Sequence, residues 1–242
     1  MSASIRLPTI LAMLPLATPA GCGGDGSTGP PYEPTIPAEW AASVTNPFFP
    51  LTPGTVWEYS AKTGDGTETT RVEVLAAPRV VNGVTATVVR DQVSLNGSPV
   101  EDTYDWYAQD AAGNVWYLGE DSRELKNGIV VGTEGSWMWG ARGALPGIIM
   151  WADPAAHRDE EYRQEYERRR AEDWGKVVAL DQTVRVPFGT FTGCIRTEDW
   201  SGLEGRSSSL EYKYYCPNIG TVMETPADAP DERAELTAMT ST

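Results

Sequence analysis

Residues 100–120 combine two kinds of side chain that a glycan site needs, aromatic rings and carboxylates. Glycoside hydrolysis takes one carboxylic acid held protonated by burial and one ionised carboxylate, about 5 to 10 Å apart across the scissile bond. The candidates are Asp102 and Asp105 in this stretch and Glu165 further along, with Glu172 and Asp173 beside it. Most carboxylates of an acidic protein lie on the solvated surface, so we keep this hydrolase as the alternative to a binding function.

Five tryptophans indicate ligand binding without catalysis. On the concave face of a curved sheet they would take an apolar or glycan ligand, with a few carboxylates fixing its orientation. Packing in the core is the commoner role of tryptophan, and it remains open. The five residues are Trp106, Trp116, Trp137, Trp139 and Trp151.

Other chemistries have little support. A serine or cysteine nucleophile needs a base, and the chain has a single histidine, His157, and no G-x-S-x-G motif. Asp110 and Asn114 offer hard oxygen ligands for calcium on a turn, although side chains that hydrogen-bond the turn backbone explain the same pattern. We predict no other cofactor. A formal net charge of −15 argues against a nucleic-acid partner.

The elements that position these residues follow a β pattern. Alternating β-branched and aromatic residues are separated by turn signals at residues 64–66, 82–83, 96–97, 110–114 and 187–189. Residues 127–153 are Gly- and Trp-rich and contain one short buried strand at 147–151. We therefore predict an all-β, mainly antiparallel fold: one curved sheet that forms a sandwich or a partly open barrel, with at most one short helix.

Residues 159–174 are ambiguous between helix and strand. Good helix formers surround Tyr162 and Tyr166, which favours a helix face. Tyr162, Gln164 and Tyr166 also alternate, as in a strand. We predict the strand, because the rest of the chain offers no helix for it to pack against.

The first 21 residues have the pattern of an export signal. One charge at Arg6 precedes an apolar run over residues 7–17, and small residues precede Cys22. This junction resembles a bacterial lipobox, in which the signal is cut before the cysteine and its sulfur carries lipid. The Gly- and Pro-rich residues 22–37 then form a flexible tether. We expect a protein anchored by lipid in the cell envelope; plain secretion is the alternative.

The remaining boundaries follow from composition. Residues 38–226 form a single β domain, and residues 227–242 are expected to be a mobile acidic tail. With Cys22 lipidated, Cys194 and Cys216 remain as an even pair in an oxidising compartment. Each lies in a strand-like stretch, so we predict a disulfide between neighbouring strands that contributes on the order of 3 kcal/mol.

Several motifs together resemble a family of uncharacterised bacterial exported proteins. They are N-P-F-F-P-L-T-P-G-T-V-W-E-Y, V-V-R-D, the whole of residues 100–120, G-A-L-P-G-I-I-M, Y-R-Q-E-Y with A-E-D, and V-P-F-G-T-F. The end of the domain, from V-P-F-G-T-F to Y-Y-C-P-N-I-G-T-V, is also similar to curved-sheet periplasmic lipoproteins that hold apolar cargo or assist envelope traffic. The resemblance implies an exported β domain and supplies no reaction.

Overall fold

The computed structural model describes residues 32–241, and its regular elements are antiparallel strands with one short helix. The predicted all-β fold is confirmed. The elements are β1 (Val56–Thr63), β2 (Gly66–Val74), β3 (Arg79–Val81), β4 (Val84–Leu95), β5 (Ser98–Gln109), β6 (Val115–Asp121), β7 (Glu124–Lys126), β8 (Ile129–Gly132), β9 (Trp137–Met138), β10 (Leu145–Met150), β11 (Glu161–Arg163), β12 (Glu165–Tyr166), β13 (Asp173–Val186), β14 (Gly189–Ser201), α1 (Arg206–Ser209), β15 (Glu211–Cys216), β16 (Gly220–Pro226) and β17 (Ala234–Thr240).

The strands form one sheet that nearly closes into a barrel. One run of hydrogen-bonded neighbours is β1, β2, β4, β5, β6 and β10. The other is β13, β14, β15, β16, β17 and β1. The short strands between them connect the two runs, because β12 pairs with β10 and β11 pairs with β13. Of the two forms left open by the sequence, the structure has the barrel.

Two small additions lie beside the main sheet. The β7–β8 hairpin is joined to β5 through the pair Glu101 and Glu124. Strand β9 pairs with β6, where a side chain on Gly119 would collide with the backbone of Trp137 at 2.5 Å. Glycine is therefore required at this close approach.

The predicted turns connect the predicted strands. Asn96 and Gly97, between β4 and β5, both have positive φ, at 51° and 79°. Asn82 and Gly83, between β3 and β4, have φ of 47° and 86°. This is the backbone of the two-residue turns that fit the twist of a hairpin, which explains why Asn-Gly marked them in the sequence.

The ambiguous residues 159–174 form strands. Glu161–Arg163 pairs with β13, and Glu165–Tyr166 pairs with β10. Arg168 to Arg170 make the turn that leads to β13, with Arg169 at a positive φ of 62°. Tertiary pairing overrides the helix propensity of this segment, as we predicted from its surroundings.

The C-terminal segment differs from the expected mobile tail. Strand β17 pairs with β1 along five registered positions and with β16 along two. Its Ala234 and Leu236 are buried in the core. Composition alone misled us here, because a strand that fills the last gap of a barrel needs few apolar residues of its own.

The chain before β1 packs against the barrel. Phe49 is buried and lies 5.1 Å, centroid to centroid, from Tyr107, as expected for a residue that plugs the core. Asn46 donates to the carbonyls of Gly113 and Trp151, both at 3.0 Å. Even Tyr32, within the predicted tether, donates to the carbonyl of Pro146. The predicted signal peptide, residues 1–21, and Cys22 lie outside the described residues.

The disulfide prediction is confirmed. Cys194 and Cys216 are bonded, and both are fully buried. The two cysteines adjoin the registered pair Ile195 and Tyr215 of β14 and β15. The bond therefore crosslinks neighbouring strands of the barrel wall.

Candidate functional site

The inside of the barrel is unusually rich in charge. Every second residue of a strand faces the interior. On β5 these are Glu101, Thr103, Asp105 and Tyr107, all buried. Further buried charged residues come from the other strands: Glu68, Asp91, Glu120, Glu165, Asp173, Asp199, Lys213 and Glu224. Buried charges must be paired or neutralised, so this interior has to be explained group by group.

One part of the interior is organised around an ammonium group. We call Lys213, Glu211, Asp199 and Glu224 the lysine group. The Nζ of Lys213 lies 3.0 Å from Glu211 and 3.6 Å from Asp199, and Glu224 is its registered partner on β16. Gln164 donates to the same Asp199 carboxylate at 3.0 Å. Within residues 32–241, Lys213 is the only buried lysine or arginine.

The lysine group keeps its cation charged. Burial lowers the pKa of Lys213, but the carboxylates of Glu211, Glu224 and Asp199 outweigh it and hold that pKa well above its usual value. Burial raises the pKa of Glu224, and the ammonium of Lys213 opposes the rise. The ion pairs therefore compensate for part of the cost of burial.

A second part of the interior has mainly carboxyls. We call Asp105, Glu120 and Glu165 the acidic group. Burial raises the pKa of each well above its usual value, and the neighbouring carboxyls raise all three further. The hydroxyl of Tyr117 donates to Asp105 at 2.6 Å, which opposes the shift there. One oxygen of each carboxyl makes no hydrogen bond within the described residues. Burial therefore favours the protonated form of these groups.

Asp173 lies at the border between the two groups. Burial raises its pKa from 3.8 to about 7, while a hydrogen bond with Ser201 and the charge of Lys213 lower it. Asp173 and Ser201 are registered partners on β13 and β14. Asp173 therefore changes charge near neutral pH.

A polar cleft of about 230 Å³ opens next to this border. Its lining comes from the loop after β8, the arginine turn before β13, and the end of β14. The lining residues are Thr133, Glu134, Gly135, Arg169, Arg170, Ser201, Leu203 and Glu204. Ser201 thus contacts the cleft on one side and Asp173 on the other, which links the cleft to the charged interior.

A second cavity is apolar and small. It holds about 30 Å³ and is lined mainly by core residues such as Phe49, Leu51, Trp57 and Val72. That volume accommodates roughly two water molecules. It is too small for an apolar ligand.

The five tryptophans of the predicted ligand site line neither of these two cavities. Trp106 is buried under the guanidinium of Arg79, and Trp137 packs edge-on against Tyr117. Trp116 and Trp139 both contact Trp40. These contacts favour the packing role that the sequence left open.

Trp151 differs from the other four because its ring is partly exposed. It stacks on the ring of His157 at 3.9 Å between centroids. It also lies edge-on to the buried Tyr162. Its flat face is therefore occupied by the chain itself.

The structure separates the predicted catalytic carboxylates. Asp105 and Glu165 meet in the interior, but Asp102 lies on the opposite face of β5. There Arg90 donates to both oxygens of Asp102, at 2.7 and 3.0 Å. Glu172 accepts from the backbone of Arg169 and lies near Arg163. Glu172 and Asp173 both contact residues of the cleft lining, Glu172 through Arg169 and Asp173 through Ser201.

The calcium candidates lock the turn between β5 and β6. Asp110 accepts from the backbone of Asn114 and from its side chain, both at 2.9 Å, and from the indole of Trp116. Asn114 in turn accepts from the backbone of Ala152. The turn-stabilising role accounts for these contacts, and calcium binding stays a prediction.

Two features are absent from residues 32–241. No three His, Cys, Asp or Glu residues are grouped so that they could hold a metal ion. No helix in that range has the length and apolar character needed to cross a membrane.

Sequence reasoning missed several interior residues, above all Lys213, Asp199 and Glu120. Alternation could have revealed the first two. It places every second residue on one face of a strand, as in T-x-D-x-S at 197–201 and E-x-K-x-Y at 211–215. Glu120 escaped this signal because the pairing shifts along β5 and β6. Tyr107 pairs with Tyr117, but Asp105 pairs with Glu120, so Leu118 and Gly119 absorb the extra residue.

The fold and its interior define a nearly closed antiparallel barrel with a buried carboxylate network around one lysine. Comparison of the chain with known protein families, with curated proteins and with solved structures finds no match. The function must therefore be argued from this chain's own residues.

Proposed function

We propose that the chain is an exported, lipid-anchored binding protein that takes a polar, hydroxyl-rich ligand, a glycan, in the cleft beside Ser201. The observation that carries this proposal is the contrast between the two cavities. The cleft has about 230 Å³ and a lining that combines hydroxyl, carboxylate and guanidinium groups with apolar surface, whereas the apolar cavity has about 30 Å³. Such a lining suits many short hydrogen bonds to hydroxyl groups.

The cleft offers both directions of hydrogen bonding. Glu134 and Glu204 supply acceptors, and Arg170 supplies donors while its Nε is held by the carbonyl of Ser136 at 2.7 Å. Leu203 is 46% exposed and provides apolar surface for one face of a sugar ring. The volume suits one ring with its substituents.

Leu203→Trp tests this proposal by filling the cleft. Leu203 is exposed, so the substitution leaves the core intact. Soluble mono- and oligosaccharides are screened by calorimetry, and binding is expected in the wild type and lost in Leu203→Trp. Phe188→Trp, at the β13–β14 turn and 41% exposed, is the matched control and keeps binding. Binding that survives in Leu203→Trp would exclude the cleft.

Export and anchoring belong to the same proposal. The buried disulfide between β14 and β15 is consistent with an oxidising compartment and supports it. Palmitate labelling of the wild type, lost in Cys22→Ser, is the expected result. An unlabelled wild type that is still exported would support plain secretion.

A glycan hydrolase is the second candidate, and Asp173 favours it. A carboxyl with a pKa raised to about 7 is suited to act as a general acid, and the Ser201 hydroxyl, which it hydrogen-bonds and which lines the cleft, would donate a proton to the glycan while it takes one from Asp173. Glu204 or Glu134, in the cleft lining, would be the ionised partner. If this is correct, release of reducing ends from a bound glycan stops in Asp173→Asn and falls as the pH rises through 7. If the glycan binds and is not cleaved, the hydrolase is excluded and the binding function remains.

A further inference from the structure

The β7–β8 hairpin exposes an apolar strand. Ile129, Val130 and Val131 are 67%, 48% and 55% exposed. Within the described residues, β8 pairs only with β7. Because successive side chains of a strand point to opposite faces, both faces of this strand are apolar and open.

Such a strand is unusual on a protein surface. Edge strands are normally protected by charges, prolines or bulges, and the run from Ile129 to Val131 carries no charge or proline. A partner with a flat surface would cover only one face of the hairpin. A medium that surrounds the hairpin buries both faces at once.

The arginine turn adjoins this hairpin. Arg168, Arg169 and Arg170 are all exposed, in a chain whose net charge is −15. Arg170 donates to the carbonyl of Ser136, in the loop that continues from β8. Glu134 and Glu204 line the cleft together with Arg169 and Arg170 and offset part of their charge, whereas Arg168 lies outside that lining. Guanidinium groups bind phosphate well.

We propose that residues 129–131 and 168–170 form a docking surface for an anionic phospholipid bilayer. The hairpin enters the interface between headgroups and acyl chains, and the arginine turn contacts lipid phosphates. This contact is made by the folded barrel itself. It does not require a lipid on Cys22, and because Arg169 and Arg170 also line the cleft, Arg168 is the arginine that serves the docking surface alone.

Co-sedimentation with vesicles tests the docking surface. The exported chain carries Cys22→Ser in every sample, so that no anchor contributes. Vesicles of phosphatidylglycerol are expected to bind it. Ile129→Ser with Val131→Ser weakens binding at least about ten-fold, since the apolar area that enters the interface is lost. Arg168→Ala weakens binding to these vesicles on the order of five-fold and leaves phosphatidylcholine binding unchanged.

Two matched controls keep the test specific. Val80→Ser removes an apolar residue that is 67% exposed on β3, as much as Ile129. Arg185→Ala removes an exposed arginine near the turn that connects β13 to β14. Neither control changes vesicle binding. Equal binding by all variants overturns the proposal, as does a wild type that stays in the supernatant.

Self-association is the competing explanation for the hairpin. The chain's mass in solution is measured by light scattering without vesicles. A constant monomer mass supports docking to lipid. A dimer that the Ile129→Ser and Val131→Ser substitutions dissociate would show that a second copy covers the hairpin, and it would overturn the proposal.

Discussion

The lysine group and the acidic group accommodate buried carboxyls in two different ways. Around Lys213, an ammonium 3.0 Å from Glu211 opposes the rise in carboxyl pKa that burial causes. Around Glu120, burial and then the neighbouring carboxyls raise the pKa, which favours the protonated form. The lysine group therefore depends on one side chain, that of Lys213. The acidic group depends on pH, because its carboxyls must bind protons.

The difference shows how one barrel tolerates so many buried acids. A single ammonium cannot compensate for every carboxylate, because the attraction weakens with distance. Asp105 is within the influence of Lys213 and also accepts from Tyr117, so it belongs partly to both solutions. Across the interior, the carboxyls therefore change from groups compensated by the ammonium of Lys213 to groups whose raised pKa favours protonation.

Removing the cation should have the largest effect. Lys213→Met leaves Asp199 and Glu224 buried without their counter-ion and costs about 3–5 kcal/mol of unfolding free energy at pH 8. Without Lys213 the folded-state pKa of Glu224 rises further, so the loss shrinks as the pH falls to 5. Urea unfolding followed by tryptophan fluorescence measures both. Lys62→Met, on the exposed face of β1, is the control and changes stability little. An equal loss at both pH values would contradict the ion-pair interpretation.

Neutralising a member of the acidic group should increase the free energy of unfolding instead of lowering it. The folded-state pKa of Glu120 is raised, so the wild type loses stability as the pH rises above the unfolded value near 4.5. Glu120→Gln removes this loss, and between pH 5 and 8 its stability relative to the wild type increases by at most about 4 kcal/mol, because one proton contributes about 1.4 kcal/mol per pH unit. The control is Asp121→Asn, which affects the neighbouring residue in its ion pair with Arg123. A constant difference between Glu120→Gln and wild type would mean that Glu120 is ionised in the fold.

Substitution of Asp173 is expected to change the stability less than substitution of Glu120, and over a narrower range of pH. Its pKa of about 7 means that the folded protein holds this proton up to neutral pH, so stability falls from about pH 4 to pH 7. Asp173→Asn removes this component, worth about 2 kcal/mol between pH 5 and 7. Denaturation at intervals across this range measures it, and Asp181→Asn on the same strand leaves the slope unchanged. A carboxyl carbon of Asp173 that titrates near pH 4 by NMR would refute the assignment.

A substitution on the outer face of β5 is expected to change the stability least. Asp102 is a carboxylate of β5 like Asp105, but it is paired with Arg90 at the surface. Asp102→Asn should therefore cost about 1 kcal/mol or less. Asp105→Asn should instead gain stability relative to the wild type as the pH rises, for the reason given for Glu120→Gln. Thermal unfolding at pH 8 compares the two, and a larger loss in Asp105→Asn than in Asp102→Asn would contradict the distinction between the two faces.

The strands and turns were predictable because local chemistry decides them. Asn-Gly pairs accept positive φ, and alternation identifies residues that share a face. Residues 159–174 needed one further argument, the β character of their surroundings. The disulfide followed from two cysteines in strand-like stretches.

The site was less predictable, because alternation does not say which face points inward. Trp106 and Asp105 lie on opposite faces of β5, yet both are buried. Trp106 is buried because Arg79 covers it from outside the barrel. Lys213 lies between Tyr212 and Tyr214, which also mark a strand face. The cleft joins residues 133–135, 169–170 and 201–204, and only the closed fold brings these together.

The pairing of β1 with β17 determines when this protein can finish folding. Strand β1 is synthesised before the other barrel strands, so Tyr59 can meet Leu236 only after β17 has been synthesised. Contacts so distant in sequence form slowly. Until then β1 and β16 expose unpaired edges, which invite aggregation. A chain cut short by ten residues would lose no part of the cleft lining, yet it would leave the barrel open.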